Sequence, residues 1–213
     1  MLKIWGRANS MNVQKAMWAV GELGLAHERI DAGGKFGGLD LPAYLAMNPN
    51  KKIPTLDDNG AIVWESGAVV RYLAAKYGSG SLWAEDPVER ARADQWMDWM
   101  QTTLTPPLTA VFVGLVRTPA DKRNKAAIEA AAVELGAAYG VLDRQLQGRK
   151  FVAGDRLTMG DIPVGATCYR YFTLPVTRPA LPNLEAWYRR LQERPAYRQH
   201  VMVSYEDLRV PGA

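Results

Sequence analysis

The apolar positions change period twice within the first eighty residues. Leu2-Lys3-Ile4-Trp5 alternates and predicts a strand, whereas Val13, Ala16, Met17, Val20 and Leu23 recur at the spacing of one helical face. Gly6-Arg7-Ala8-Asn9 between them reads as a turn, with Asn9 or Ser10 placed to cap the helix. A second strand is predicted across His27 to Ile30. A Gly-rich loop from Asp31 to Asp40 and a short helix from Leu41 to Met47 follow it.

The stretch from Asn48 to Tyr77 is the most tightly specified part of the chain. Asn48-Pro49 starts a turn, Ile53-Pro54 leads into a short strand, Asn59-Gly60 closes a hairpin, and a second strand ends at Trp64. Asn-Gly between two apolar runs is a strong hairpin signal because both residues tolerate the positive φ that a tight two-residue turn requires. Val70, Leu73, Ala74 and Tyr77 then mark a helix, with Ser66 in the N-cap position. A helix start attracts a carboxylate through its unpaired N–H groups and positive dipole end. Glu65, beside it, is placed to accept from an ammonium. By residue chemistry alone this is a cradle for a small zwitterion.

From Gly78 to Asp86 the chain is small, polar and turn-rich, which reads as a linker. Beyond it the period is helical. Asp86-Pro87-Val88-Glu89 is an N-cap, a proline in the first turn and an early acid, and Ala93, Trp96, Met100 and Leu104 continue the buried face. Pro106-Pro107 must end or kink that helix, since an interior proline costs ~3 kcal/mol, and helical pattern resumes to about Val116. Thr118-Pro119-Ala120-Asp121 repeats the start signal, and Ile128, Ala131, Leu135, Ala138, Leu142 and Leu146 run from there to a stop at Gly148. A third start lies at Thr158–Asp161, with Leu157 and Ile162 as a hydrophobic staple. Leu184, Trp187, Tyr188 and Leu191 give a last clear helix, closed near Arg194-Pro195. A βαβ unit, a hairpin and a helix therefore precede an all-helical half.

Composition excludes several classes. With 48% hydrophobic residues and 7 Trp among 213, the chain has ample material for a packed core, which argues against disorder. The single cysteine, Cys168, allows no internal disulfide framework and points to a reducing compartment; it falls in an apolar helical stretch and reads as inert packing. The net charge of +4 is spread evenly over the two halves, with no basic stripe to suggest nucleic acid. No basic start is followed by an apolar run, and no apolar stretch approaches the roughly 20 residues of a membrane span, so a soluble, cytoplasmic protein is expected. His27 and His200 fit neither a hydrolase triad nor a metal spacing, and no metal site is expected. No GxGxxG follows the first strand, and the Gly-rich loop lacks the GKS or GKT of a phosphate-binding loop.

Taken in order, NPNKKIPTL (Asn48 to Leu56), ESGAVVRYL (Glu65 to Leu73), FVAGD before Thr158–Asp161 and the RPAY of Arg194 to Tyr197 resemble the cytosolic glutathione transferases along essentially the whole chain. The opening WGRANSMNVQKAMWAVGELGL resembles a bacterial subgroup with an RxxSxN motif, serine standing near the first helix instead of tyrosine or cysteine. The resemblance implies an α/β thioredoxin-like N-terminal domain (1–78), a linker (79–85) and an all-α helical-bundle C-terminal domain (86–213) that contributes a second-substrate pocket. It further implies that Pro54 is a cis proline exposing the backbone of Ile53 to the cysteinyl part of glutathione. Glu65 and Ser66 correspond to contacts with the γ-glutamyl ammonium and carboxylate, and Lys35 and Lys52 are candidates for the glycyl carboxylate. Ser10 is the candidate donor to the sulfur, and Asn12, Asn9 and Arg7 are close enough to share that role.

A free thiol titrates at about 8.5, so little of it is ionised at neutral pH. Lowering that pKa by about two units needs under ~3 kcal/mol, and one charge-assisted hydrogen bond of ~1.5–3 kcal/mol supplies much of it. The bland reading is that Ser10 merely caps its helix. Likewise Trp96, Trp99, Phe112 and Tyr169 belong by default to the core, although Phe112, Arg117 and Tyr169 are candidates for an apolar second-substrate pocket between the domains. The expected reaction joins the thiolate of glutathione, a co-substrate, to a small hydrophobic electrophile that the sequence does not identify. Homodimerisation follows from the resemblance alone. The rivals are a non-catalytic binding or interaction protein on the same fold, and another glutathione-dependent enzyme such as a peroxidase, dehalogenase or isomerase. With no cysteine in the first-helix turn, a mixed disulfide with glutathione is disfavoured.

Overall fold

The computed structural model describes residues 1–211. Strand β1 (Leu2–Trp5) pairs in parallel with β2 (His27–Ile30), and antiparallel with β3 (Thr55–Asp58), which pairs antiparallel with β4 (Ala61–Trp64). The order β2-β1-β3-β4 is a mixed four-stranded sheet. Helix α1 (Met11–Glu22) makes the parallel β1–β2 crossover and α2 (Pro42–Met47) precedes β3, as the periodicity predicts. Gly6, at the β1–α1 turn, has φ +151°, and a Cβ there would stand 2.4 Å from Val13 Cγ2, so only glycine admits so close a return of the helix.

Helix α3 (Ser66–Tyr77) follows β4. Its far end is tied to the sheet by the buried Asp58, which accepts from Tyr72, Lys76 and Tyr77. Ser66 is the first helical residue, and Glu65 occupies the N-cap with φ +68° and no side-chain cap bond. The predicted serine cap is thus displaced by one residue. A positive φ at Glu65 turns the chain from strand to helix in a single step.

Helix α4 (Pro87–Trp99) starts as expected, with Asp86 accepting from the N–H groups of Val88 and Glu89. The Pro106-Pro107 pair is absorbed by a π-helical turn, Met100–Leu104, that leads into α5 (Thr105–Val116). A widened turn gives the proline rings room and leaves the helix bent instead of broken. The start signal at Thr118–Asp121 forms only a 3₁₀ turn, Ala120–Lys122. Helix α6 (Lys125–Leu146) begins later, because Asn124 caps it by accepting from Ala127 N–H while Arg123 is drawn back onto the carbonyls of Leu115 and Thr118.

At the start of helix α7 (Asp161–Thr173) only the acidic half of the predicted box forms: the Asp161 carboxylate accepts from Thr158 N–H and Val152 N–H, while the Thr158 hydroxyl donates to Asp161 and caps no helix N–H. Cys168 lies buried inside α7, and burial pushes its thiol up to about 12, as inert packing requires. After α8 (Pro182–Gln192) the chain makes one helix the periodicity did not single out, α9 (Pro195–His200). The core is continuous from sheet to bundle, and α1 is wedged between them with every residue from Val13 to Val20 buried.

Gly160, at the start of α7, seats that helix on α4: a Cβ there would lie 2.5 Å from the Ala93 carbonyl oxygen. Both sides of this contact are backbone and cannot rotate away. Gly160→Ala is expected to cost ~3 kcal/mol, the upper end of ordinary overpacking. Thermal denaturation should show a melting temperature lower by roughly 10 °C.

Candidate active site

The first turn of α1 presents unpaired donors to one open edge of the sheet. Ser10 is the N-cap residue, in extended conformation, yet its side chain makes no capping bond. Its Oγ has no hydrogen-bond partner among the described residues, while its backbone closes the turn to the Arg7 and Gln14 positions. The N–H groups of Met11, Asn12 and Val13 have no acceptor within the helix, as in any first turn. A hydroxyl and a helix dipole thus share one half-buried position, uncommitted to the fold.

Asn12 joins this turn to α3. Its Oδ1 accepts from Lys15 Nζ at 3.0 Å and from Ser66 Oγ at 3.5 Å. Ser66 is buried, and Glu65, exposed beside it, keeps its positive φ. A non-glycine residue there is strained by ~1–3 kcal/mol, a cost that marks functional sites. One hydrogen bond therefore ties the predicted anchoring residue Ser66 to Asn12 of the first turn of α1.

Ile53 precedes a cis peptide bond to the buried Pro54. Its backbone N–H and C=O take part in no hydrogen bond among the described residues, which leaves one residue's worth of open antiparallel edge. The loop is held by Asn48 Nδ2 and Tyr44 Oη, both donating to the Lys52 carbonyl and both reaching Thr55 Oγ1. Ile53 leans on the β1–α1 turn: a Cβ on Gly6 would be 3.3 Å from its Cβ. The Lys52 side chain projects to solvent. Lys35, in the Gly-rich loop, pairs with Asp207 at 2.9 Å, and both side chains are exposed. That loop packs on the turn through Gly34, whose Cβ would be 3.3 Å from Arg7 Cδ.

The pocket candidates also converge. Phe112 on α5 meets Tyr205 edge-on at 5.4 Å, Tyr169 meets the same Tyr205 at 6.2 Å, and the Arg117 guanidinium lies 5.6 Å from the Phe112 ring. Between them Arg170 of α7 stacks on Phe112 at 4.0 Å and donates to the Asn9 carbonyl at 2.9 Å, which links this aromatic cluster to the first turn of α1. Trp96 and Trp99 pack on each other in the bundle and are not among these contacts. An apolar groove of about 1170 Å³ runs elsewhere, along α6 and the 175–181 loop, and none of the predicted site residues borders it.

Three contributors escaped the sequence: Lys15, Arg170 and Tyr205. Lys15 is fully buried, and burial first, then the charge of Arg170, pulls its ammonium down to about 7, against the opposing pull of Glu65. Arg170 is lowered to about 10 by burial and by Arg117 and Arg7, and Arg7 is lowered by burial and by Arg117. Among the described residues none of these four cations pairs with a carboxylate. Arg7 Nε and Asn9 Oδ1 are buried with no hydrogen-bond partner among the described residues. Positive charge without a carboxylate partner among the described residues thus gathers beside the first turn of α1.

Because Lys15 titrates at about 7 here against 10.5 unfolded, the unfolded chain binds more protons between those values. Stability should therefore rise with pH across that window. Lys15→Met, which removes the buried charge, is expected to stabilise the unliganded protein by on the order of 1–4 kcal/mol below pH 7. Melting temperatures of the two proteins should converge as pH approaches 10.5.

Comparison with known proteins adds an independent finding. The family model described as glutathione S-transferase, N-terminal domain, matches residues 1–75, and that of the C-terminal domain matches residues 95–195. Glutathione S-transferase GstB of Escherichia coli (strain K12) is 44% identical over 205 residues, 95% of this chain and 99% of the relative. Glutathione S-transferase D7 of Drosophila melanogaster is 36% identical over 68% of this chain and 64% of the relative. A theta class glutathione S-transferase from Xanthomonas axonopodis pv. citri, solved with glutathione bound, superposes with a TM-score of 0.91 at 47% identity, over 95% of this chain and 98% of that one.

Proposed function

Because this chain belongs to the cytosolic glutathione S-transferase family, we propose that it conjugates the thiolate of reduced glutathione to small hydrophobic electrophiles. The observation that carries this reading is the uncommitted Ser10 hydroxyl at the N-terminus of α1, within an unpaired cluster of Arg7, Lys15, Arg117 and Arg170. A thiolate is the anion such a site would stabilise.

In this reading residues 1–78 hold the peptide and residues 86–213 supply the second pocket. The Ile53 backbone pairs with the cysteinyl unit, Ser66 and the start of α3 hold the γ-glutamyl carboxylate, and Glu65 holds its ammonium. Lys52 is free to reach the glycyl carboxylate, whereas Lys35 must exchange Asp207 for it. Ser10 donates to the sulfur, with Asn12 holding the turn. The thiol proton leaves to solvent, the sulfur lone pair forms the C–S bond, and the leaving group departs with its bonding pair. Nothing in this sequence needs a covalent enzyme intermediate or a metal. Positioning and thiolate stabilisation are the protein's contribution.

The electrophile would lie against Phe112, Arg117 and Tyr169, under Tyr205. We also place the protein in the cytoplasm, whose reducing poise keeps glutathione a thiol; no helix among the described residues is long and apolar enough to cross a membrane. A homodimer would cover Ile62, Trp64 and Tyr77, large apolar side chains exposed on β4 and α3.

Initial rates with an activated aryl halide test the proposal. Turnover that is linear in enzyme, saturates in glutathione and exceeds the uncatalysed rate is expected. Glutathione binding without any acceleration, across aryl and alkyl halides and peroxides, would leave the non-catalytic rival standing instead.

A further inference from the structure

We propose that Lys15 is a positioning residue for glutathione, acting through Asn12 on Ser66, and that it takes up a proton from solvent when the γ-glutamyl carboxylate arrives. The proposal rests on the glutathione reading above and assigns that site an internal counter-charge.

Lys15 lies on a helix with no solvent-facing side along its middle, and among the described residues its Nζ has one polar partner, the Asn12 Oδ1 at 3.0 Å. An ammonium offers three protons, so the charged form leaves two unmatched in a dry site. The charged groups that face it are Arg170 from α7, which opposes its protonation, and Glu65 from the β4–α3 turn, which favours it. Arg7 and Arg117 crowd Arg170 and add to the positive field. The balance leaves Lys15 largely neutral in mildly alkaline solution, since its folded pKa is about 7. A carboxylate seated at Ser66, one hydrogen bond beyond Asn12, tips that balance toward the ammonium.

Two consequences follow for ligand binding. Ser66 has one proton, given to Asn12 Oδ1 in the unliganded protein; when the ligand carboxylate takes it, Asn12 Oδ1 is left to Lys15, whose ammonium is the stronger donor and so frees Ser66 for the ligand. With glutathione itself, the proton that the thiol loses to solvent is offset by the one that Lys15 gains. Binding of the thiol form then changes the proton count little at alkaline pH, and a thiol-blocked analogue shows net uptake.

Calorimetric titration of S-methylglutathione, in pairs of buffers with different ionisation enthalpies, measures that uptake directly, because this ligand has no thiol proton to lose. For a rise of about two pKa units from a starting value of about 7, uptake is expected to be ~0.8 proton at pH 8 and ~0.1 at pH 6. Lys15→Met should bind more weakly and show no uptake at either pH. The wild-type pH comparison stands by itself if the variant fails to fold. Binding with no uptake at pH 8, or uptake that persists in Lys15→Met, would overturn the role of Lys15 and leave the glutathione site intact. A wild type that binds neither S-methylglutathione nor glutathione would remove the underlying reading, and this proposal with it.

Discussion

Ser10→Ala is expected to raise the thiol pKa of bound glutathione by roughly one to two units and to lower kcat/KM by ~10–100-fold, the value of one charge-assisted hydrogen bond. The structure separates this from the bland alternative. A serine that caps its helix costs ~0.5–2 kcal/mol of stability when truncated, but the Ser10 side chain makes no capping bond. The variant should therefore melt close to the wild type and bind S-methylglutathione, which has no thiol to ionise, with nearly unchanged affinity, while its affinity for glutathione itself falls above pH ~6.5 with the lost thiolate stabilisation. Spectroscopic titration of the bound thiol and steady-state kinetics check both halves. A full pKa shift retained in Ser10→Ala would move the donor to Arg7, Asn9, Asn12 or the free N–H groups of the first turn. The unpartnered Arg7 Nε would be the first of these to substitute.

Ser66→Ala is expected to act on the other half of the site. Its hydroxyl is buried at the start of α3, and among the described residues the side chain bonds only to Asn12. Losing a hydrogen bond to a charged ligand group should raise the glutathione KM and Kd by ~10–100-fold, with kcat at saturation changed by less than about threefold. That pattern marks an interaction made equally in the ground state and the transition state. A fall in kcat of the same size as the fall in kcat/KM would mean instead that Ser66 works on the reacting sulfur. The two variants thus divide holding from activating.

Local chemistry made the hairpin and its flanks readable. Asn59-Gly60 needs positive φ, Ile53-Pro54 restricts the loop before β3, and Asp86-Pro87 is a cap and a first turn in consecutive residues. Each of these signals is satisfied by its neighbours alone, so tertiary context had little to override. Where two local signals competed, the sequence misled. Thr118–Asp121 and Asn124 both offer a start for α6, and the later one prevails because Arg123 ties the earlier turn back to the end of α5. Ser66 looked like a cap because the positive φ that puts Glu65 in that place is unusual for glutamate.

The electrostatics of the site were not readable. Lys15 looks in sequence like a solvent-facing residue of an amphipathic helix, and it is buried because the bundle covers the face of α1 that the sheet leaves open. Arg170 sits 161 residues from the Asn9 carbonyl it binds, and Tyr205 lies in a tail with no helical period. Only packing of the two halves brings these groups together. The sequence thus offers the candidates for holding the peptide, and the fold adds the charged groups that surround them.

The Ser10 hydroxyl and the cations around it would hold glutathione as its thiolate. Ultraviolet absorbance of the thiolate, followed from pH 5 to 9 on the wild-type complex, tests this most directly. The midpoint is expected near ~6.5, about two units below that of the free thiol. A midpoint that coincides with free glutathione, at full occupancy of the site, would contradict the account.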